Sequence, residues 1–171
     1  MAVLRKIRYL RPKRQLNSLK EIDLARFWKQ GKRGLVLDLD NTISPWREEE
    51  VTPEADSLIR EALRLNYKVC LLSNASSRRV ETIARQYNIP FVAPALKPLK
   101  KPYRKAMALM NLRSEEVIAV GDQIFTDVLG GNRSGCYTVL VPPLKKKEFV
   151  WTRLMRAVES LVRENGSPNA E

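Results

Sequence analysis

One stretch constrains this chain more than any other: Gly34–Thr42, read as G-L-V-L-D-L-D-N-T. An apolar run of this length ending in polar residues is the signature of a buried strand in a parallel sheet. In open α/β sheets the ligand sits beyond the carboxyl ends of the strands, which puts Asp38 and Asp40 at the mouth of a site. Alternation along an extended chain points both carboxylates the same way, about 7 Å apart along the backbone. Like charges held that close repel unless a cation lies between them. A hard, oxygen-liking cation such as Mg²⁺ suits them. A bare D-x-D is more often a solvated turn, so the downstream sequence has to decide.

Composition removes several chemistries. The 171 residues contain no histidine, which excludes Ser-His-Asp and Cys-His catalysis and His-based zinc sites. Cys70 and Cys136 are far apart and fall in or directly beside predicted strands, as buried thiols of a reducing compartment do. The length suits one domain, and 44% hydrophobic with 29% charged residues suits a globular one. A net charge of +12 favours an anionic partner: acidic lipid, nucleic acid or a phosphorylated substrate. No 18-residue apolar run and no signal-peptide pattern is present.

Residues 1–20 hold seven basic residues and no acid, with Val3, Leu4, Ile7 and Leu10 on one helical face. They read either as a basic amphipathic helix on an anionic membrane or as a solvated tail. Ser18 to Glu21 has capping-box spacing, which predicts a helix over residues 19–30 burying Ile22, Ala25 and Trp28 or their neighbours. Thr52-Pro53 opens a second helix with Leu58, Ala62 and Leu65 on its buried face. Strands are predicted at 34–39, 68–72, 91–93, 117–120 and 137–141. Between them lie a helix with Val80, Ile83, Ala84 and Tyr87 inward, and one with Tyr103, Ala106, Met107 and Met110 inward. A short helix opens at Thr126-Asp127, where Gly130-Gly131 should weaken it. A last helix is predicted over 148–163. The expected organisation is a basic segment at 1–18, one domain at 19–165 and a frayed tail at 166–171. Alternating strands and helices predict a three-layer α/β sandwich, Rossmann-like, with a parallel sheet.

Polar signals follow four of these strands: D-L-D-N-T (38–42), S-N (73–74), K-P (97–98) and G-D-Q-I-F-T-D (121–127). Parallel strand ends gather on one edge, so the four converge on one crevice. Together they resemble the four motifs of the haloacid dehalogenase (HAD) superfamily of phosphohydrolases, from Gly34 to Val141. In detail they look like subfamily IIIA and its YqeG-type branch, which includes phosphatidylglycerophosphate phosphatases.

The resemblance implies roles. Asp38 is the nucleophile that forms an aspartyl-phosphate, and Asp40 the general acid and base. Asp38, Asp40 (through its carbonyl) and Asp122 are the Mg²⁺ ligands. Ser73 and Asn74 hold the phosphoryl group. Asp127 is either an outer-shell ligand or an acid placed by a helix dipole. Lys97, Lys100 and Lys101 are candidates for the phosphate-facing cation; Lys97, six residues before Tyr103, fits the family spacing.

Thr42 to Ser73 and Ser73 to Lys97 are too short for a cap domain, so an open site is expected. That suits a phosphate presented by something large, and the branch implies phosphatidylglycerophosphate on a membrane, handled by a cytoplasmic protein peripheral on the inner face. A nucleic-acid-end phosphatase, a small-phosphate hydrolase and a non-catalytic basic RNA- or ribosome-binding protein stay open as alternatives.

Overall fold

The computed structural model describes residues 8–145, so the apolar stripe at the start of the chain, the helix expected over 148–163 and the tail lie largely or wholly outside the described residues. Six strands form one sheet: β1 (Arg14–Gln15), β2 (Gly34–Leu37), β3 (Lys68–Leu72), β4 (Phe91–Val92), β5 (Val117–Gly121) and β6 (Tyr137–Leu140). Every pairing is parallel, and the order is β1-β6-β5-β2-β3-β4. The chain runs outward from β2 through β3 to β4, then returns to place β5 on the other side of β2. The switch point thus lies between β2 and β5, where α/β sheets open a crevice.

Side-chain alternation decides the two faces. Leu35, Leu37, Val69, Leu71, Ile118 and Val120 pack with α1 (Leu24–Lys29), α2 (Pro53–Arg64) and α3 (Ser77–Gln86). Val36, Cys70, Leu72 and Ala119 pack with α4 (Lys100–Met110). Helices change face where the strand order reverses, as right-handed crossovers require. Leu35, Leu37 and Leu71 are fully buried, each contributing about 2 kcal/mol. Both cysteines are free and buried, and burial pushes both thiols up to about 12.

Two expectations change. The predicted 19–30 helix is two pieces, a 3₁₀ turn at Leu19–Glu21 and α1. Ser18 makes no capping hydrogen bond; Asp23 accepts from Arg26 N (2.8 Å) and restarts the helix. Of the expected inward residues Ile22 is buried, while Ala25 is exposed and its neighbours Leu24 and Phe27 are buried instead. The expected boundary at residue 18 falls inside the fold, because Arg14 and Gln15 pair with Val139 and Leu140 and Leu16 is buried. Gly130-Gly131 lies within α5 (Leu129–Arg133). A Cβ on Gly130 would stand 2.5 Å from Tyr103 Cε2, and one on Gly131 2.6 Å from Thr138 Cγ2. The pair trades helix propensity for close packing on α4 and β6.

Between β2 and β3 lie one loop and α2, and between β3 and β4 lies α3. No cap domain is inserted among the described residues. None of the described helices is long and apolar enough to cross a membrane.

Candidate active site

The site is built at the carboxyl edge of β2. Asp38 N donates to Val120 O (3.0 Å), so the sheet ladder fixes the backbone that carries the carboxylate. Asn41 turns the chain with φ 62°, and an isolated parallel bridge joins Asp40 to Ser44. This returns Thr42 beneath Asp38, where its hydroxyl lies 3.1 Å from Asp38 Oδ2 and 3.3 Å from Asp122 Oδ1. One short turn thereby joins the end of β2 to the end of β5.

Lys97 comes from the loop after β4. Its backbone N–H donates to Asn74 Oδ1 (2.8 Å), so Asn74 anchors the lysine loop. Its ammonium lies 2.5 Å from both Asp38 Oδ1 and Asp127 Oδ1, and all three side chains are buried. Lys100 and Lys101 stand exposed on the first turn of α4. Ser73 is buried at the end of β3 and accepts from Ala75 N (3.1 Å).

Asp127 reaches the site through a π-helical turn, Ile124–Val128. Such turns interrupt regular helix and re-aim side chains. Asp127 Oδ2 accepts from Gln123 N (3.1 Å), and Tyr103 Oη donates to the Asp127 carbonyl (3.2 Å). Its carboxylate lies against Gly121 so closely that a Cβ there would overlap it. Gly121 is therefore required by the site, not by the strand.

Asp38, Asp122 and Asp127 each offer a carboxylate oxygen, all within 4.8 Å of one another. Asp127 belongs to this cluster. The Asp40 side chain lies outside that group of oxygens and pairs with Arg79 instead, so it is not the carboxylate that alternation along the strand set beside Asp38. Burial, then Asp38 and Asp127, push the Asp122 carboxyl up to about 8. Asp38 is also raised, by burial first, with Lys97 opposing. Burial works to lower the Lys97 pKa, but Asp127 and Asp38 outweigh it and hold the ammonium protonated. One ammonium among three carboxylates, two of them buried, leaves the cluster short of positive charge. Its donors are all hard oxygens, so it fits a cation such as Mg²⁺.

Asp40 is held by a residue that motif reading missed. Arg79, on α3, donates from Nη1 to Asp40 Oδ1 (2.6 Å) and from Nε to the Glu48 carbonyl (2.7 Å). Nη2 reaches the Pro45 carbonyl (3.2 Å). Arg47 N also approaches Asp40 Oδ1 (3.4 Å). Both donors use Oδ1. The only advance signal was Arg78-Arg79 just after S-N, and sequence alone does not say which arginine turns inward.

Asp38, Asp40, Trp46, Arg47, Ser73, Arg79 and Lys97 are among the residues around an open cleft of ≈ 470 Å³. Comparison with known proteins agrees with this architecture. A family model described as haloacid dehalogenase-like hydrolase matches residues 12–135. The chain is 34% identical over 152 residues to "Probable phosphatase YqeG" of Bacillus subtilis, covering 89% of this chain and 88% of that protein. It is 25% identical to "Phosphatidylglycerophosphate phosphatase 1, chloroplastic/mitochondrial" of Arabidopsis thaliana, over 91% of this chain but only 48% of that one. Among solved structures, the cobalt-bound deoxy-D-mannose-octulosonate 8-phosphate phosphatase of Haemophilus influenzae superposes with TM-score 0.55 at 14% identity, covering 66% of this chain and 69% of that one. The matched span includes β2 to β5 and every acidic residue of the cleft, and on that ground the chain belongs to the haloacid dehalogenase-like hydrolase family.

Proposed function

We propose that the protein is a Mg²⁺-dependent phosphomonoesterase that works through an aspartyl-phosphate and acts on phosphatidylglycerophosphate at a membrane surface. The observation that carries the chemistry is the buried Asp38 carboxylate, fixed by a sheet hydrogen bond and flanked by the Lys97 ammonium and the Thr42 hydroxyl. A nucleophile needs to be held, not flexible, and kept away from competing water.

In the first step an Asp38 oxygen forms a bond to phosphorus while the bond to the leaving alcohol breaks. Asp40 gives its proton to the departing oxygen. In the second step Asp40 takes a proton from water, the water oxygen bonds to phosphorus, and Asp38 is released with inorganic phosphate. Lys97, held by Asn74, balances charge on the transferring group, and the Ser73 hydroxyl donates to one of its oxygens. Asp38, Asp122 and the Asp40 carbonyl would hold the Mg²⁺, with Asp127 beside them. When bound, the cation neutralises carboxylates that would otherwise repel an anionic phosphate.

Two observations favour a lipid substrate: an open cleft with no cap domain among the described residues, and a net charge of +12 that suits an anionic bilayer. The name carried by the Arabidopsis thaliana relative points the same way. The test is release of phosphate from phosphatidylglycerophosphate in vesicles, set beside nucleotide, nucleic-acid-end and sugar phosphates, with Mg²⁺ and with EDTA. The expected result is metal-dependent turnover with the lipid preferred. Metal-independent turnover would overturn the site assignment, and preference for another phosphate the lipid reading. A chain lacking residues 1–8 keeps β1 and should lose vesicle binding while still hydrolysing a soluble ester. If it sediments with vesicles as the full chain does, this segment has no membrane role.

A further inference from the structure

We infer that Trp46 and Arg47 form a leaving-group subsite for phosphomonoesters whose alcohol carries a second anionic group a few bonds from the scissile oxygen. The inference rests on the reading of the cleft as a phosphomonoesterase site with Asp40 as proton donor.

Position comes first. Asp40 serves the leaving oxygen, so whatever lies beyond Asp40 from Asp38 meets the leaving group. Arg47 N is 3.4 Å from Asp40 Oδ1, and both Trp46 and Arg47 line the cleft. The cleft, at ≈ 470 Å³, is larger than a phosphoryl group needs and has room for a small polyol phosphate.

Charge comes second. Three cations line the cleft: Lys97, Arg79 and Arg47. Lys97 is bonded to Asp38 and Asp127, and Arg79 to Asp40. Among the described residues the Arg47 guanidinium is in no ion pair, and it is exposed to the cleft mouth. The acids that follow it do not cancel it: Glu48 pairs with Lys145 (2.7 Å), and neither Glu49 nor Glu50 lines the cleft.

Preorganisation comes third. Arg47 adopts φ 65°, a left-handed conformation that costs a non-glycine residue and is kept only where surroundings enforce it. The enforcing contacts are visible. Arg79 grips the Pro45 and Glu48 carbonyls, and Ser44 Oγ donates to the Glu48 carbonyl (2.9 Å). The Arg47 Cζ then lies 4.1 Å from the Trp46 ring centroid, a stacked geometry that restricts the guanidinium. Trp46 itself is 42% exposed, a large apolar surface beside the cation. A pinned cation next to an aromatic face, on the leaving-group side, suits an alcohol with a short aliphatic spacer and a second phosphate or phosphodiester.

That second anion has two sources, a soluble bisphosphate or a lipid phosphodiester, and the experiment separates them. The full chain and Arg47→Gln are assayed on p-nitrophenyl phosphate, glycerol 3-phosphate, glycerol 1,3-bisphosphate, and phosphatidylglycerophosphate in phosphatidylcholine vesicles. The full chain should favour glycerol 1,3-bisphosphate over glycerol 3-phosphate in kcat/KM by about tenfold, mostly through KM. Arg47→Gln should erase most of that ratio, and Arg47→Lys should restore part of it. The same dependence with the lipid assigns the anion to its phosphodiester; dependence with the bisphosphate alone keeps the subsite and overturns the lipid reading. Lipid turnover that ignores Arg47 keeps the lipid reading and overturns the subsite. So does a full chain with no preference between the glycerol phosphates, or an Arg47→Gln defect equal on all four substrates.

Discussion

The two walls of the cleft carry similar charges and handle them in opposite ways. On the Asp38 wall, Asp38, Asp127 and Lys97 are buried and bonded to one another, and each is set by a strand end or the turn that follows it. On the Asp40 wall, Asp40 and Arg79 are partly exposed and pair across a loop that ends in the exposed Trp46 and Arg47. A buried cluster tolerates almost no rearrangement, since any unpaired charge there is costly. An exposed loop tolerates substitution at little cost. On the mechanism proposed above, the first wall serves the phosphoryl group common to every substrate, and the second serves the leaving group that differs among them.

Substitutions should reproduce that division, and the largest effect belongs to the nucleophile. Asp38→Asn keeps shape but removes the attacking charge, and should lower kcat by about 10⁴-fold on any phosphomonoester. Activity within tenfold of the parent would break the assignment. Lys97→Ala should follow at about 10³-fold, again on every substrate, because the charge it balances is on the phosphoryl group. A defect confined to one substrate would move Lys97 to the other wall.

Arg79→Ala frees Asp40 Oδ1 and the carbonyls of the 44–48 loop. Turnover should fall about 10- to 100-fold, with a changed pH profile of kcat and partial rescue by Arg79→Lys. An unchanged profile would make Arg79 a purely structural brace. Gly121→Ala forces a methyl group into Asp127 and should cost about 1–3 kcal/mol of stability by denaturant unfolding, together with a higher Mg²⁺ requirement. Normal metal dependence in that variant would remove Asp127 from the metal cluster. Lys101→Ala should change turnover of a soluble ester by less than about twofold, as exposed charges remote from the reacting group do. A dead Lys101→Ala would exchange its role with Lys97.

Legibility in the sequence followed the same boundary. Strands β2, β3 and β5 stand out because hydrophobic runs end in polar residues, and strand ends of a parallel sheet can only gather on one edge. Asp38, Ser73 and Asp122 are reachable on that ground, whereas only the spacing of the family the chain resembles separates Lys97 from Lys100 and Lys101. The side chains of Asp40 and Arg79 are not reachable. Period-2 alternation describes a continuing strand, and the chain leaves the strand at Asp38 to turn at Asn41. Arg78 and Arg79 are adjacent on α3, and the phase of that helix on the sheet exposes one and turns the other inward. The split of residues 19–30 was hidden for a local reason: Asp23 competes as a cap, and only the backbone at Ile22 shows which cap won.

The sequence by itself determined the parallel sheet, the order of its motifs and the edge on which they meet, because hydrophobic period and chain direction are properties of local sequence. It also carried the resemblance to a phosphohydrolase family, since four polar motifs follow successive strands in order, where D-x-D alone would read as a solvated turn. Tertiary structure alone decided which carboxylates share a charge cluster, that Asp127 joins it over Gly121, and that Asp40 belongs to Arg79. Those outcomes depend on distances of a few ångströms between side chains remote in sequence. At that range a small change of rotamer or helix phase exchanges one ion pair for another, and nothing in the order of residues records the choice.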